Sequence, residues 1–416
     1  MFWGESLLLK VGIFYRDAFA TGGVPSEIRT LAEALAVEHK VTLWGRRNSD
    51  AGTTPVGPDC ERYGAAHELR RKFTDWLTRE RPQTVLVVGF FLRDNLSVVQ
   101  TARRHQVPII LYPLAQVMNE VLRGKVFTYN PDTRRLETGE RSQQNFSQEL
   151  LVALNPFLKR LYLQSIGKLL VSCSDRIAVF SAEEQRQFTS YFRRPNQDFI
   201  RLLWGTANET GGTDDPRHYY RDVLGLDDGC PNFVYWGRLD WHYKGLDRLL
   251  AGVQRVGVHC GSASRPFRLF LIGPDYRGGA ARVASYLTTR QLNGSVQVLL
   301  PGAYIPGSKT PLRDADASLY LSRWDGFPRT LRESTMLGVP VLVSRETHFA
   351  DVVVEHDSGI VLEDADDPDQ VARALLQLSD ARNRARWRQG SNSLAPLLAW
   401  SAIAQRFVKG VENGVD

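Results

Sequence analysis

Short, continuous apolar runs recur along the chain and alternate with segments whose apolar residues have helical spacing. Such runs are typical of strands that are buried on both faces of a parallel sheet. In the first half they are Leu8–Phe14, Lys40–Trp44, Thr84–Gly89, Val107–Tyr112, Arg176–Phe180 and Ile200–Leu203. In the second half they are Phe233–Trp236, Phe267–Ile272, Val296–Leu300, Ala317–Leu321, Val339–Val343 and Gly359–Leu362. Because strands that alternate with helices form βαβ units, the pattern predicts two doubly wound α/β domains.

The two halves are separated by residues 208–230, a segment rich in Gly, Asp and Pro that we interpret as a linker or hinge. The prediction is an N-terminal domain over residues 1–207 and a C-terminal domain over residues 231–395. Residues 396–416 are predicted to form a C-terminal helix that could return to the N-terminal domain.

The segment 115–148 shows no clear period, and no role is assigned to it. Residues 149–171 have amphipathic helical spacing, for which a core helix is favoured over a helix on a membrane surface. No apolar run is long enough to span a bilayer, and no charged-then-apolar leader opens the chain. The prediction is therefore a cytoplasmic protein, for which a peripheral contact with the inner face of the membrane stays open.

Charge and cysteine usage narrow the classes of partner. Lys and Arg number 52 against 46 Asp and Glu, so the formal net charge is +6. The basic residues are spread along the chain without a nucleic-acid-binding module, and no nucleic-acid partner is expected. Anionic ligands such as nucleoside diphosphates or phospholipid head groups are compatible with this charge. The four cysteines lie far apart without a CxxC pair, which favours reduced thiols over disulfides or a zinc site.

The strongest chemical signal is the segment 322–333, SRWDGFPRTLRE, which joins a predicted strand to a predicted helix. Asp325 lies in the loop, and Glu333 lies about one turn into the helix. Gly326 lets the backbone approach a ligand closely, and Pro328 fixes the turn into the helix. The amides of the helix's first turn form an anion site and belong to Arg329, Thr330 and Leu331. A carboxylate one turn along such a helix can accept hydrogen bonds from the vicinal hydroxyls of a ribose.

A second motif, YWGRLDWHYKGL over residues 235–246, follows the first predicted strand of the second half. It contains Arg238 and Lys244. Two fixed cations can stabilise the charge that develops on a departing nucleoside diphosphate without a metal ion. Either residue alone would be interpreted as a solvated loop charge. Their occurrence together with the 322–333 motif favours a functional site.

Together, the two motifs resemble those of the retaining glycosyltransferases of family four. In that family a carboxylate, a GFP-like loop and a glutamate are followed by a Gly-x-Pro strand, for which this chain has Gly338-Val339-Pro340. The resemblance implies the GT-B fold, in which two Rossmann-like doubly wound α/β domains face each other across a cleft. It runs from about Val11 to Leu378 and is specific in the second half and loose in the first.

The resemblance also implies roles for four candidate catalytic residues. Arg238 and Lys244 would clamp the donor diphosphate, Glu333 would bind the ribose, and Asp325 would contact hydroxyls of the donor sugar. The family usually has Glu at the position of Asp325. Because the Asp side chain is one methylene shorter, the identity of the bound sugar stays open. Many relatives have a His after the strand that matches Val107–Tyr112, but this chain has none there, so the acceptor-side catalytic contact is unassigned.

Weaker loop motifs extend the implied donor site. The segment 21–25 resembles the family's amino-terminal glycine loop, which faces the diphosphate or the acceptor, and the loops at 271–274 and 301–304 match strand ends that flank the donor nucleotide. The implied donor-binding residues are Gly22, Gly23, Gly273, Gly302, Tyr304, Gly326, Phe327, Pro328, Arg329, Thr330 and Leu331. The Asp-Ala-Asp sequences at 314–316 and 364–366 are interpreted as solvated caps and not as metal ligands.

The implied activity is transfer of a sugar, with retention, from a nucleoside-diphosphate sugar to a glycan, lipid-linked or small-molecule acceptor. In the implied front-side displacement the leaving diphosphate receives the acceptor proton, so neither a cofactor nor a metal ion is expected. Assembly of bacterial polysaccharides is a common task of such enzymes. The alternative is a catalytically degenerate GT-B protein that serves as a partner subunit or glycan-binding module. The shorter Asp325 and the absent His slightly favour that alternative, and the intact Arg238, Lys244 and Glu333 oppose it.

Overall fold

The computed structural model of the protein describes residues 8–20, 23–47, 54–89, 93–113, 128–130, 135–137, 165, 167–206, 218–260, 266–289, 296–302, 309–323 and 325–412. The chain divides into two compact units. One is formed by Met1–Gly205 together with Trp400–Asp416, and the other is formed by Thr206–Ala399.

The first unit is an α/β unit. Its strands are β1 (Lys10–Phe14), β2 (Lys40–Arg46), β3 (Asp59–Tyr63), β4 (Thr84–Val88), β5 (Ile109–Tyr112), β6 (Thr128–Asn130), β7 (Arg135–Glu137), β8 (Arg176–Val179) and β9 (Phe199–Arg201). Its helices up to this point of the chain include α1 (Gly23–Ala36), α2 (Ala66–Glu80), α3 (Arg93–Arg104) and α4 (Ala182–Phe192). Seven strands form a parallel sheet in the order β3-β2-β1-β4-β5-β8-β9, and β6 and β7 form a separate antiparallel pair.

Apolar periodicity explains most elements of the first unit. Helix α1 buries Ile28, Leu31 and Leu35 on one face, and every residue of β4 is buried. Within the seven-stranded sheet, strand β3 is an exception, since its sequence DCERY contains no apolar run and the sequence analysis missed it. As the edge strand it buries only Tyr63 fully, so a polar sequence is tolerated there.

The second unit repeats this plan. Its strands are β10 (Asn232–Trp236), β11 (Phe267–Ile272), β12 (Val296–Gly302), β13 (Ala317–Tyr320), β14 (Val341–Ser344) and β15 (Gly359–Leu362). Its helices are α5 (Leu246–Cys260), α6 (Gly279–Thr289), α7 (Thr310–Arg313), α8 (Arg329–Met336), α9 (Phe349–His356), α10 (Pro368–Ser379) and α11 (Ala381–Leu394). The six strands form a parallel sheet in the order β12-β11-β10-β13-β14-β15.

In both sheets the first strand of the unit lies in the interior of the sheet, and the strand order reverses beside it. The reversal falls between β1 and β4 in the first sheet and between β10 and β13 in the second. The predicted doubly wound α/β class is therefore confirmed. Open sheets of this kind bind ligands outside the carboxyl ends of the strands at the point of reversal. The second sheet thus predicts a site where β10 and β13 end.

The described part of the predicted linker, residues 218–230, differs from a free linker because it packs on the second unit. Tyr220 lies in a turn of π-helix and is buried, with its ring 4.6 Å from the ring of Phe270. Its hydroxyl donates a hydrogen bond to the carbonyl of Pro311 at 2.8 Å. The polar residues around Tyr220 concealed this single buried anchor from the sequence pattern.

The last helix, α12 (Trp400–Glu412), is grouped with the first unit. The ring of Trp400 lies 5.4 Å from that of Trp204, and a Cβ on Gly205 would come within 2.4 Å of the Trp400 ring. The guanidinium of Arg176 donates to the carbonyl of Gly410 at 2.5 Å. The helix begins at Trp400 and not at residue 396, because residues 395–398 form a short 3-10 turn of the second unit.

Among the described residues, no helix is long and apolar enough to cross a membrane. The predicted amphipathic helix over residues 149–171 lies mostly outside the described residues, and the unassigned segment 115–148 does so apart from β6 and β7.

Candidate active site

Two loops meet where the second sheet reverses its strand order. One follows β10 and spans residues 237–245, and the other follows β13 and leads into α8. Gly245 has φ +69°, and a Cβ at this position would lie 2.0 Å from the carbonyl oxygen of Leu321. Only glycine therefore allows the loop after β10 to come this close to the end of β13. This contact brings the neighbouring Lys244 to the other loop.

Arg323 fastens the two loops together. Its backbone amide donates to the carbonyl of Tyr243 at 3.1 Å, and its guanidinium donates to the carbonyl of His242 at 2.6 Å. The same guanidinium forms two hydrogen bonds of 2.8 Å with Asp247, one to each carboxylate oxygen. Burial opposes ionisation of Asp247, but hydrogen bonds from His242 and Arg323 outweigh it and lower the pKa of the Asp247 carboxyl. The bidentate pair thus remains charged at neutral pH.

Lys244, Asp325 and Tyr320 form a cluster at this junction. Lys244 Nζ lies 2.5 Å from Asp325 Oδ2 and also donates a hydrogen bond to the Tyr320 hydroxyl. The Tyr320 hydroxyl in turn donates to the same oxygen, Asp325 Oδ2. Tyr320 is only 2% exposed, whereas the side chains of Lys244 and Asp325 remain 13% and 17% exposed. The sequence analysis singled out the two charged residues and missed the tyrosine.

Glu333 occupies a different environment, on the first turns of α8. The helix follows Pro328, which has φ −59° and ψ 133°. Glu333 Oε1 lies 3.0 Å from Arg329 Nε, one turn earlier, and 3.4 Å from Lys309 Nζ. The carboxylate is almost completely buried and is held between two cations. Lys309, which the sequence analysis missed, lies between β12 and α7 at a position that no motif marked.

Two of the implied donor-binding residues have buried side chains, so only their backbone could face a ligand. Leu331 is completely buried, and the ring of Phe327 packs 4.8 Å from that of Phe349, so both side chains belong to the core. The amide of His348 donates to the carbonyls of Gly326 and Asp325 at 3.0 and 3.3 Å. The loop before α8 is thereby fixed. The amides of Arg329, Thr330 and Leu331 form the first turn of this helix, as the sequence predicts.

Glycines bring the neighbouring strand ends close to Arg238. A Cβ on Gly273 would lie 1.9 Å from the carbonyl oxygen of Gly237, and the amide of Gly273 donates to Gly302 at 3.1 Å. The ends of β10, β11 and β12 therefore lie side by side. The guanidinium carbon of Arg238 lies 4.5 Å from the ring centre of Tyr276, a cation–π contact that restrains it over the loop after β11.

The structure does not gather all the implied donor-binding residues in one unit. Gly23 begins α1 in the first unit, whereas the other implied residues that it describes lie in the second unit. Gly22 and Tyr304 lie outside the described residues.

The two Asp-Ala-Asp sequences serve as structural anchors. Asp314 accepts hydrogen bonds from the amide of Tyr219 and from Arg313 Nε, both at 2.7 Å. Asp314 differs from the predicted solvated cap, because its side chain is only 7% exposed. Asp366 is 60% exposed, in agreement with the prediction, and it forms two hydrogen bonds of 2.6 and 2.7 Å with the buried guanidinium of Arg248. In the part of the chain that the structure describes, no group of three or more His, Cys, Asp and Glu side chains is arranged to hold a metal ion.

Comparison of the sequence with protein families matches residues 217–393 to the family described as Glycosyl transferases group 1. The matched residues make up most of the second unit, which is therefore similar to a group 1 glycosyl transferase domain. This match spans both charged loops, and it confirms the predicted resemblance and the prediction that the chain is a glycosyltransferase. No curated protein matches the chain.

Solved structures show the same fold over almost the entire chain. Anabaena HepE in complex with UDP has a TM-score of 0.66 and 13% identity, with 98% of this chain and 100% of that chain covered. Sucrose-phosphate synthase from Thermosynechococcus elongatus has a TM-score of 0.64 and 16% identity, with coverage of 97% and 98%. WaaG, a glycosyltransferase involved in lipopolysaccharide biosynthesis, has a TM-score of 0.60 and 14% identity, with coverage of 96% and 99%. The predicted GT-B fold class of this glycosyltransferase is therefore confirmed.

Proposed function

We propose that the protein is a retaining glycosyltransferase that moves a sugar from a nucleoside-diphosphate sugar to a glycan or glycoconjugate. The observation that carries this proposal is the contact of Lys244 with Asp325 at the reversal point of a group 1 glycosyl transferase sheet. A cation for phosphate and a carboxylate for sugar hydroxyls thus lie side by side where such sheets bind ligands. Structures of the similar Anabaena HepE hold UDP and UDP-glucose, which supports a nucleotide-sugar donor.

In this proposal, Arg238 and Lys244 bind the donor diphosphate. Both follow the end of β10, and the amides at the start of α8 add a third positive element. Fixed positive groups of this kind stabilise the charge that appears on the departing diphosphate, and they require no reorganisation as it develops. The proposal therefore includes no resident metal ion or cofactor.

The carboxylates of Asp325 and Glu333 are assigned to two other parts of the donor, the sugar and the ribose. Both hydrogen bonds of the Asp325 carboxylate in the structure fall on Oδ2, so Oδ1 is the oxygen that we assign to hydroxyls of the donor sugar. Both cationic contacts of Glu333 likewise fall on Oε1, and we assign Oε2 to the ribose hydroxyls. Because partners in the protein fix one oxygen of each carboxylate, the second oxygen is oriented before the donor binds.

The proposed reaction is a front-side displacement. The bond between the anomeric carbon and the diphosphate oxygen breaks while the acceptor oxygen bonds to the same face of that carbon. The acceptor proton passes to the departing phosphate oxygen, so no side-chain base is needed. The fold similarity to WaaG, which is involved in lipopolysaccharide biosynthesis, supports a saccharide-containing acceptor.

A panel of UDP-, GDP- and ADP-sugars tests the proposal. The purified protein should release the nucleoside diphosphate from at least one donor, slowly by hydrolysis and faster when an acceptor saccharide is present. NMR of the product should show the anomeric configuration of the donor. Arg238→Ala should abolish most of this release, whereas Arg255→Ala should not, since Arg255 is an exposed residue of α5 that pairs with Asp369 at 2.7 Å. Tight nucleotide binding without any turnover would instead favour the degenerate binding module, and an inverted product would refute retention.

A further inference from the structure

Tyr320 is the last residue of β13, and its side chain is almost completely buried among the residues beneath the candidate site. Its hydroxyl reaches the two charged residues at the surface of that site. It accepts a hydrogen bond from Lys244 Nζ and donates one to Asp325 Oδ2. The family motifs assign no role to a residue at this position. The contact joins residues that are 76 and 5 positions away in the sequence, so the phenol links both loops to one strand end.

A neutral phenol matches this place chemically. It has one proton to donate and lone pairs that can accept, which are the two functions that its neighbours require. Burial and then the charge of Asp325 raise the pKa of Tyr320 well above its usual value of 10, so the hydroxyl keeps its proton at neutral pH. It can therefore donate to the carboxylate without adding a second negative charge beside Lys244.

The phenol also lacks the freedom of the groups that it contacts. The lysine ammonium stands on a flexible four-carbon chain, and its position is not determined by the backbone alone. The Tyr320 ring, by contrast, is fixed by the strand and by close packing. A hydroxyl held in this way can restrict Lys244 and Asp325 together.

We propose that Tyr320 is a positioning residue of the donor site, which holds Lys244 Nζ and Asp325 Oδ2 so that the ammonium meets the diphosphate and Oδ1 meets the sugar. This inference rests on the proposed function. Tyr320 itself contacts no donor atom in this arrangement, and its effect passes through the two charged residues.

The experiment is a double-mutant cycle between Tyr320→Phe and Lys244→Ala, read out by calorimetric titration of the nucleoside diphosphate that the active donor releases. Tyr320→Phe alone should weaken binding about threefold to tenfold and lower donor turnover about tenfold, the size expected for the net contribution of a typical hydrogen bond. In the Lys244→Ala background the same substitution should change diphosphate affinity less than twofold, because the group through which it acts is gone.

Tyr220→Phe is the matched control. Tyr220 is as buried as Tyr320 and lies in the same unit. The substitution removes one hydrogen bond, which Tyr220 donates to the carbonyl of Pro311 away from the site. It should lower the melting temperature by a similar amount and leave diphosphate affinity and turnover unchanged.

Three results would decide against the inference. Unchanged affinity and turnover in Tyr320→Phe would show that the tyrosine only fills the core. If Tyr320→Phe lowers affinity equally in the parent and Lys244→Ala backgrounds, Tyr320 does not act through Lys244. If Tyr220→Phe lowers affinity as much as Tyr320→Phe does, the loss is not specific to Tyr320. If the parent protein itself binds and cleaves no donor, the proposed function fails. If the parent is active and the Tyr320→Phe variant behaves like it, only the inference about Tyr320 fails.

Discussion

The loop of Asp325 and the first turns of α8 around Glu333 belong to one motif but differ in charge. Asp325 is balanced by one cation, Lys244, and by a neutral phenol, and its side chain is 17% exposed. Glu333 is held by two cations, Arg329 and Lys309, and its side chain is 8% exposed. The Glu333 region thus keeps a positive excess, whereas the Asp325 region is neutral until a ligand arrives. The difference suits Glu333 to binding the ribose of the donor, which does not react, and Asp325 to binding the sugar that is transferred.

Removal of Asp325 should have the largest effect. In Asp325→Ala we expect turnover of the true donor to fall about tenfold to a hundredfold, since a charged hydrogen bond to a desolvated hydroxyl contributes about 1.5–3 kcal/mol. Affinity for the nucleoside diphosphate should change little, because Arg238 and Lys244 remain and Lys244 keeps its bond to Tyr320. Initial rates and calorimetry separate the two quantities.

Asp325→Glu sharpens the same test. If the shorter side chain is matched to one donor, the longer one should lower activity with that donor and can admit another sugar from the panel. Parent-like turnover in Asp325→Ala would leave Asp325 only a structural role in the loop.

Glu333→Gln should weaken nucleotide binding about tenfold, because an acceptor oxygen becomes an amide and two cations lose their counter-charge. Unlike the effect of Asp325→Ala, the loss of affinity in Glu333→Gln should depend on the ribose hydroxyls of the ligand. A nucleoside diphosphate without the 2′ and 3′ hydroxyls should bind the parent and the variant about equally if Glu333 serves the ribose. An undiminished loss with this dideoxy ligand would assign Glu333 to another part of the donor.

Lys309→Met should produce a smaller effect on the same region. Glu333 retains Arg329 at 3.0 Å, so the orientation of its carboxylate is weakened and not lost. We expect a roughly twofold to fivefold decrease in nucleotide affinity, the size of a modest ion pair, with an unchanged kcat. A decrease in kcat instead, with affinity intact, would place Lys309 at the reacting end of the donor.

The smallest expected effect is that of EDTA. Because the proposed diphosphate contacts of the site are the cations Arg238 and Lys244 and the amides of α8, turnover should stay within twofold after dialysis against the chelator. Complete loss of activity that only Mg²⁺ or Mn²⁺ restores would contradict this assignment, and titration of Arg238→Ala with the same ions would then show whether a metal replaces the guanidinium.

Much of the fold was predictable because its signals are local. Buried parallel strands need runs of Val, Ile and Leu, and those runs marked the central strands of both sheets. The edge strand β3 escaped this criterion, since one side of it has no neighbouring strand and its sequence stays polar. The anchor Tyr220 escaped for a similar reason, because a single buried side chain in a polar segment has no period.

The candidate site divides in the same way. By itself the sequence determined the two doubly wound units and the motif residues, because each depends on neighbours within a few positions. Only the tertiary structure decided that Lys244 meets Asp325 across 81 positions, that Tyr320 lies between them, and that Lys309 reaches Glu333. The physical reason is that strand order, and not distance along the chain, determines which loops share the carboxyl end of a parallel sheet.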